Sequence, residues 1–344
     1  MSSTSATTVS TNAPAKAALV RVFVPTWRRA RLLPRALASL QAQTCRDWVC
    51  ELHNDDPADP EPGRIAAALG DPRITVINHA RNLGGTAAFN QFFRATAEPF
   101  YAMLEDDNWW EPEFLAALLA AAAAQPSVTV FWANMRLWEE LAGGAFRDTG
   151  RLVWPAGDAP RLMPWGQPAQ IGGALHSHGA ALFRSRPGDD FSTPAVPIAV
   201  TEPFRERRLP HPLVLVPRPL ANFSLTLETA RSRDPAEWAE TQAMLAATFF
   251  LDCPWDEARR AQVWADARAQ HPTGTTNLIL AALAHPGCRG LLRHARWGDW
   301  WVALRGFGRR PGLYFRVRRS RRAHADWWDY LVRHTAARWR EARS

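Results

Sequence analysis

Five short apolar runs punctuate the first 135 positions: Val20–Val24, which is β-branched, Trp48–Leu52, Ile74–Asn78, Phe100–Leu104 and Val128–Trp132. Each reads as a buried strand. Between them the apolar positions switch to helical spacing. Leu32, Leu33, Ala36, Leu37 and Leu40 mark one helix over 31–43, and others are expected over 64–69, 86–95 and 111–124, the last opening on Glu111-Pro112. Strand and helix alternate, which predicts an α/β fold with a mostly parallel sheet and right-handed crossovers.

Beyond Gly143 the pattern changes. Residues 143–219 are rich in Pro and Gly and carry only short runs, as expected of a partly irregular lobe over the sheet. Helical periodicity returns over 235–253, 255–271 and 275–285. After that, Arg interleaves with Trp297, Trp300, Trp301, Trp327, Trp328 and Trp339. The expected organisation is a disordered tail over 1–18, a sheet domain over 19–228 (halves 19–135 and 136–228) and a helical, Arg/Trp-rich region over 229–344.

Composition adds two constraints. Apolar residues make up 47% of the 344 and charged ones 22%, which excludes disorder over most of the length. The longest apolar run, Phe114–Ala124, is far short of the roughly 20 residues a membrane span needs. The N-terminus lacks the basic start and apolar stretch of an export signal, and Cys45, Cys50, Cys253 and Cys288 form no CxxC. A cytoplasmic protein with reduced thiols is therefore expected. Net charge is +8, but 289–344 carries fifteen Arg against four acids, a local +11, so the remainder is 8 − 11 = −3.

Chemistry is concentrated where predicted strands end, the place at which open parallel sheets bind ligands. Three ends stand out: Pro25-Thr26-Trp27, Asn54-Asp55-Asp56 and Glu105-Asp106-Asp107-Asn108. Neighbouring carboxylates repel unless a cation sits against them, and Mg²⁺ or Mn²⁺ held by one or two carboxylates plus substrate phosphates meets that need. An Asp-rich turn leading into a helix is the plainer alternative.

These pieces, in this order, together with Ser39–Thr44 and Arg81-Asn82-Leu83-Gly84-Gly85, resemble the family 2 inverting, nucleotide-sugar glycosyltransferases of GT-A fold, over about 20–227. The resemblance implies that Pro25, Thr26 and Trp27 receive the nucleotide base, where the family usually has Tyr-Asn in place of Trp27-Arg28. It implies that Asp55 hydrogen-bonds the base, that Arg81 and Asn82 line the donor pocket, and that Asp106 faces ribose or diphosphate. Asp107 would ligate Mn²⁺ or Mg²⁺. The general base for the acceptor hydroxyl would be Glu202, with Asp189-Asp190 as competitor.

The implied reaction transfers a sugar from a nucleotide-diphosphate donor, a UDP-sugar, to a glycan or lipid-linked acceptor in polysaccharide biosynthesis. Two other classes stay open. A sugar-nucleotide pyrophosphorylase would need a Gly-rich basic loop after the first strand, whereas Thr26–Arg31 is basic without glycine. A non-catalytic glycan-binding scaffold would not need the Asp106-Asp107 pair. His176 and His178 alternate as on one strand face, and they or His211 could approach phosphate or metal; hydrogen-bonded structural roles are the alternative. The Arg/Trp tail could form a solvated helical subdomain, lie on the inner face of an anionic membrane, or bind nucleic acid, for which no recognition motif accompanies the charge.

Overall fold

The computed structural model describes residues 18–228, 235–270 and 274–344; the expected N-terminal tail lies almost wholly outside them. Chain order is β1 (Val20–Thr26), α1 (Leu33–Gln41), β2 (Trp48–Asn54), α2 (Glu61–Leu69), β3 (Ile74–Asn78), α3 (Gly85–Phe92), β4 (Phe100–Met103), β5 (Trp109–Trp110) and α4 (Phe114–Ala124). There follow β6 (Val130–Glu140), β7 (Phe146–Leu152), β8 (Arg161–Met163), β9 (Ala181–Arg184), α5 (Thr201–Glu206) and β10 (Leu213–Leu225). Helices complete the chain: α6 (Pro235–Leu251), α7 (Glu257–Gln270), α8 (Gly274–Ala284), a 3₁₀ segment Pro286–His294, α9 (Trp297–Arg309), α10 (Pro311–Ala323) and α11 (Ala325–Glu341).

One sheet organises the first part, in the order β3-β2-β1-β4-β9-β6-β10-β5. β3, β2, β1 and β4 are mutually parallel, as the alternating pattern predicts. β9 enters antiparallel between β4 and β6, and β6 then runs parallel to β10. The stretch expected to be irregular thus supplies a central strand and the thirteen-residue β10. Pro217 and Pro219 disguised β10, since proline cannot donate to a ladder. The strand absorbs them at two register shifts, between Val216 and Pro219 and between Pro219 and Ala221.

Valines 20, 22 and 24 of β1 pack with Leu33, Leu37 and Leu40 of α1 and Leu115 and Leu118 of α4 in the core beneath the sheet. A second core joins α6, α8, α10 and α11 to Trp165, Val196, Val200 and Phe204, all from before residue 228. Trp339 of α11 stacks edge-on to Trp165, and its indole N–H donates to the Phe249 carbonyl at 2.8 Å. Arg338 donates to the Leu209 carbonyl at 2.8 Å. Among the described residues no helix is long and apolar enough to cross a membrane.

Candidate active site

The carboxyl ends of β1, β2 and β4 open into a cavity of about 1010 Å³. Its walls include Pro25, Thr26, Trp27, Asp55, Asn82, Asp106 and Asp107. Seven of the nine residues singled out by sequence are therefore brought together. Val196, Ile198 and the end of β10, from Phe223 to Leu225, close the opposite side.

Trp27 leaves its indole 45% exposed, with the Arg28 guanidinium 5.1 Å from its ring centre. Arg28 takes a left-handed φ of 55°, unusual for a long side chain. It is tied down by Asp56 at 2.7 Å. The Asn usual at this place in the family tolerates that conformation better. Asp55 accepts from the Leu83 N–H at 2.8 Å and so fixes the 81–85 loop. Asn82 accepts from the Gly84 N–H at 2.7 Å, in a turn where Gly84 has a φ of 78° and leads into α3. Arg81 is exposed and lies outside the cavity wall.

The acidic pair has a partner that sequence reading missed. Arg29 donates to Asp107 Oδ2 at 2.8 Å and to Asp106 Oδ1 at 2.5 Å. Asp106 is fully buried and also accepts from Thr26 Oγ1 at 2.8 Å. Burial pushes its pKa up to about 7; Arg29 pulls it down, and Asp107 adds to the rise. Burial works against the Arg29 charge too, yet Asp106 and Asp107 hold its pKa above the ordinary value. One guanidinium shared by two carboxylates satisfies the arginine but leaves the carboxylates short of positive charge.

That shortage is the test of metal fit. Among the described residues no three His, Cys, Asp or Glu side chains cluster as a cage. Asp107 has one oxygen on Arg29 and its side chain is 15% exposed, so it can offer a carboxylate to a divalent ion whose remaining ligands come from substrate phosphates and water. Its backbone is held firmly. The Asp107 carbonyl accepts from Arg35 at 2.7 Å and from Ser224 Oγ, and the Arg35 guanidinium lies 3.8 Å over the Trp109 ring. The donor set suits a metal–diphosphate complex better than a bare ion.

Arg28, Arg29 and Arg31 each engage an acid, Arg31 reaching Glu140 at 2.6 Å. The basic loop after β1 is thus occupied with internal ion pairs, not held open for a triphosphate.

Glu202 stands in the first turn of α5, half-buried and outside the cavity lining, four residues beyond the wall residue Ile198. Its Oε1 accepts from Ser177 Oγ at 2.7 Å and from the His178 N–H at 2.8 Å. The next residue, Gly179, is packed so closely that a Cβ there would meet Glu105 Oε2 at 2.6 Å. Through this turn Glu202 adjoins the acidic end of β4.

His176 and His178 do not share a strand face. His176 lies in a loop, where Nδ1 meets Glu206 at 2.9 Å, and His178 opens a 3₁₀ turn against Phe93. His211 completes the Glu206 cluster, 3.8 Å away. None of the three lines the cavity. Asp190 accepts from the Ser192 N–H and faces Arg208, and neither Asp189 nor Asp190 lines the cavity.

Residues 21–145 match the family model described as Glycosyl transferase family 2. Over that stretch the chain is similar to family 2 glycosyl transferases. A 103-residue stretch is 32% identical to the putative colanic acid biosynthesis glycosyl transferase WcaA of Escherichia coli (strain K12), covering 30% of this chain and 37% of that protein. An uncharacterized protein of Sinorhizobium fredii, y4gI, is 27% identical over 119 residues, 34% of this chain and 13% of its own length. The chain thus aligns with much less than two thirds of either curated relative. The fold extends further. A crystal structure of S. aureus TarS 1–349 superposes with a TM-score of 0.52 at 13% identity, covering 94% of this chain and 89% of that one. TarS 1–349 in complex with UDP gives 0.52 at 14% identity, over 88% and 91%. The sheet and its helical extension therefore share a GT-A-type fold with TarS.

Proposed function

We propose that this protein is an inverting, metal-dependent glycosyltransferase that moves a sugar from a UDP-sugar to a hydroxyl of a glycan or lipid-linked acceptor. The observation that carries the reading is the charge-deficient Asp106–Asp107 pair at the mouth of β4, facing Trp27 and Asp55 across one cavity. The UDP complex of TarS, a protein of the same fold, supports the choice of nucleotide.

In this reading the exposed indole of Trp27 stacks on the base, while Asp55 and the 81–85 loop border it. Asp106, held by Thr26 and Arg29, faces the ribose–diphosphate side. Asp107 would hold Mg²⁺ or Mn²⁺, which would neutralise the leaving diphosphate. Glu202 takes the acceptor proton as the acceptor oxygen attacks the anomeric carbon and the bond to diphosphate breaks. Arg29, the resident counter-charge, must share or release Asp107 when the donor arrives.

Calorimetry tests this directly by titrating UDP into the full chain with MnCl₂ or with EDTA. Binding should require Mn²⁺, and Asp107→Ala should remove the Mn²⁺-dependent part while melting stays unchanged. UDP binding that is indifferent to both EDTA and Asp107→Ala would overturn the metal role. A pyrophosphorylase would instead bind UTP in preference to UDP, and a scaffold neither.

A further inference from the structure

Helix α9 has two apolar faces. One is turned inward: Ala303 is buried, and Trp300 and Phe307 pack against the helical core. The other carries Trp297, 91% exposed, with Trp301 and Leu304, 62% and 57% exposed. At about 100° per residue these three positions fall within an arc of about 60°. Tryptophan is costly to leave in water, and two on one stripe exceed the scattered apolar exposure of an ordinary surface.

The charge around the stripe is one-sided. Residues 297–322 contain eight Arg and one acid, Asp299. That acid is buried and held by Arg268 at 2.7 Å, so it offsets nothing outside. Arg305 and Arg309 flank the stripe on α9, both exposed. On α10, exposed Phe315 sits among exposed Arg318, Arg319 and Arg322. Arg316 is drawn to Glu240 at 3.1 Å.

We infer that the outward face of α9 and α10 docks on an anionic lipid bilayer, lying in the plane of the headgroups. Indoles favour that boundary, and arginines beside them meet anionic headgroups. A second copy of the chain is disfavoured because self-pairing would bring like-charged arginines together. Nucleic acid would satisfy the arginines and the indoles but would leave Leu304 unmatched. The inference stands apart from the sugar-transfer reading, since it concerns helices remote in sequence from the cavity walls.

The experiment is flotation of the full chain with vesicles of phosphatidylcholine alone, or with about one third phosphatidylglycerol. Protein should float with the anionic vesicles, weakly with neutral ones, and be released by high salt. Trp297→Ser/Trp301→Ser should lower the partition coefficient by at least about tenfold. Arg305→Gln/Arg309→Gln should flatten the salt dependence. Both pairs are exposed, so melting and Mn²⁺-dependent UDP binding should be unaffected. Protein that stays unbound, floats equally on neutral vesicles, or floats unchanged without the two indoles overturns the inference. So does tight binding of single-stranded RNA that is lost with the indoles while flotation persists.

Discussion

Replacing Glu202 with Gln separates a catalytic carboxylate from a structural one, because the geometry lets the amide do everything but accept a proton. Oε1 receives the Ser177 hydroxyl and the His178 N–H at 2.7 and 2.8 Å. A glutamine carbonyl in that position keeps both hydrogen bonds, so stability should change by less than about 1 kcal/mol. Loss of a general base slows transfer by roughly 10²–10⁴, or about 2.7–5.5 kcal/mol of barrier. The assay is steady-state UDP release from a UDP-sugar with a competent acceptor, with urea unfolding and UDP calorimetry on the same protein. Expected are a fallen kcat, an unchanged UDP affinity and an unchanged unfolding midpoint. A kcat within threefold of wild type, with the fold intact, refutes the assignment and directs attention to Glu105, which lines the cavity. A large stability loss refutes it differently, by making the carboxylate a clamp on the 177–179 turn.

Two further outcomes are expected. Trp27→Ala should weaken UDP by about 1–3 kcal/mol, the value of an aromatic–base stack, without a change in melting since the ring is half-exposed; calorimetric affinity within twofold of wild type would remove the stacking role. Glu206 is fully buried, and although burial favours its neutral form, the hydrogen bond with His176 and the nearby His211 imidazole hold its pKa below the ordinary value. It also accepts from the Leu175 N–H and from Gln170, both at 2.5 Å. Glu206→Gln confronts the Gln170 amide with another donor and should cost about 3 kcal/mol at neutral pH. A depressed carboxyl stabilises above its unfolded pKa and loses that contribution as pH falls towards the folded one. The stability gap between wild type and variant should therefore narrow below about pH 4.3, and a gap constant from pH 6 to 3 in urea titrations would contradict the argument.

What could be read from the sequence was what lies next to itself along the chain. Strands β1 and β2 run directly into Thr26-Trp27 and Asp55, and β4 reaches Asp106-Asp107 through Leu104 and Glu105, so apolar run and chemistry are nearly contiguous and the parallel order brings them to one mouth. Arg29 was visible only as one more basic residue; its value comes from a contact 77 residues away with Asp106. Arg35 and Ser224 likewise fix the Asp107 carbonyl from distant places. β10 stayed hidden because Pro217 and Pro219 interrupt its pattern and only the bulged pairing with β6 explains them. The alternation of His176 and His178 suggested a strand, but the chain there turns through 3₁₀ geometry, and the acid that commands the cluster is Glu206.

The placement of Trp339 against Trp165 has a bearing on how the molecule comes to be made. The lobe beside the cavity, with Trp165, Val196 and Phe204, gains its inner lining from helices translated long after it. During synthesis that lobe must wait, the Trp165 indole uncovered, while the parallel strands upstream can already have set. Holdase chaperones would find their target on the ribosome in that interval.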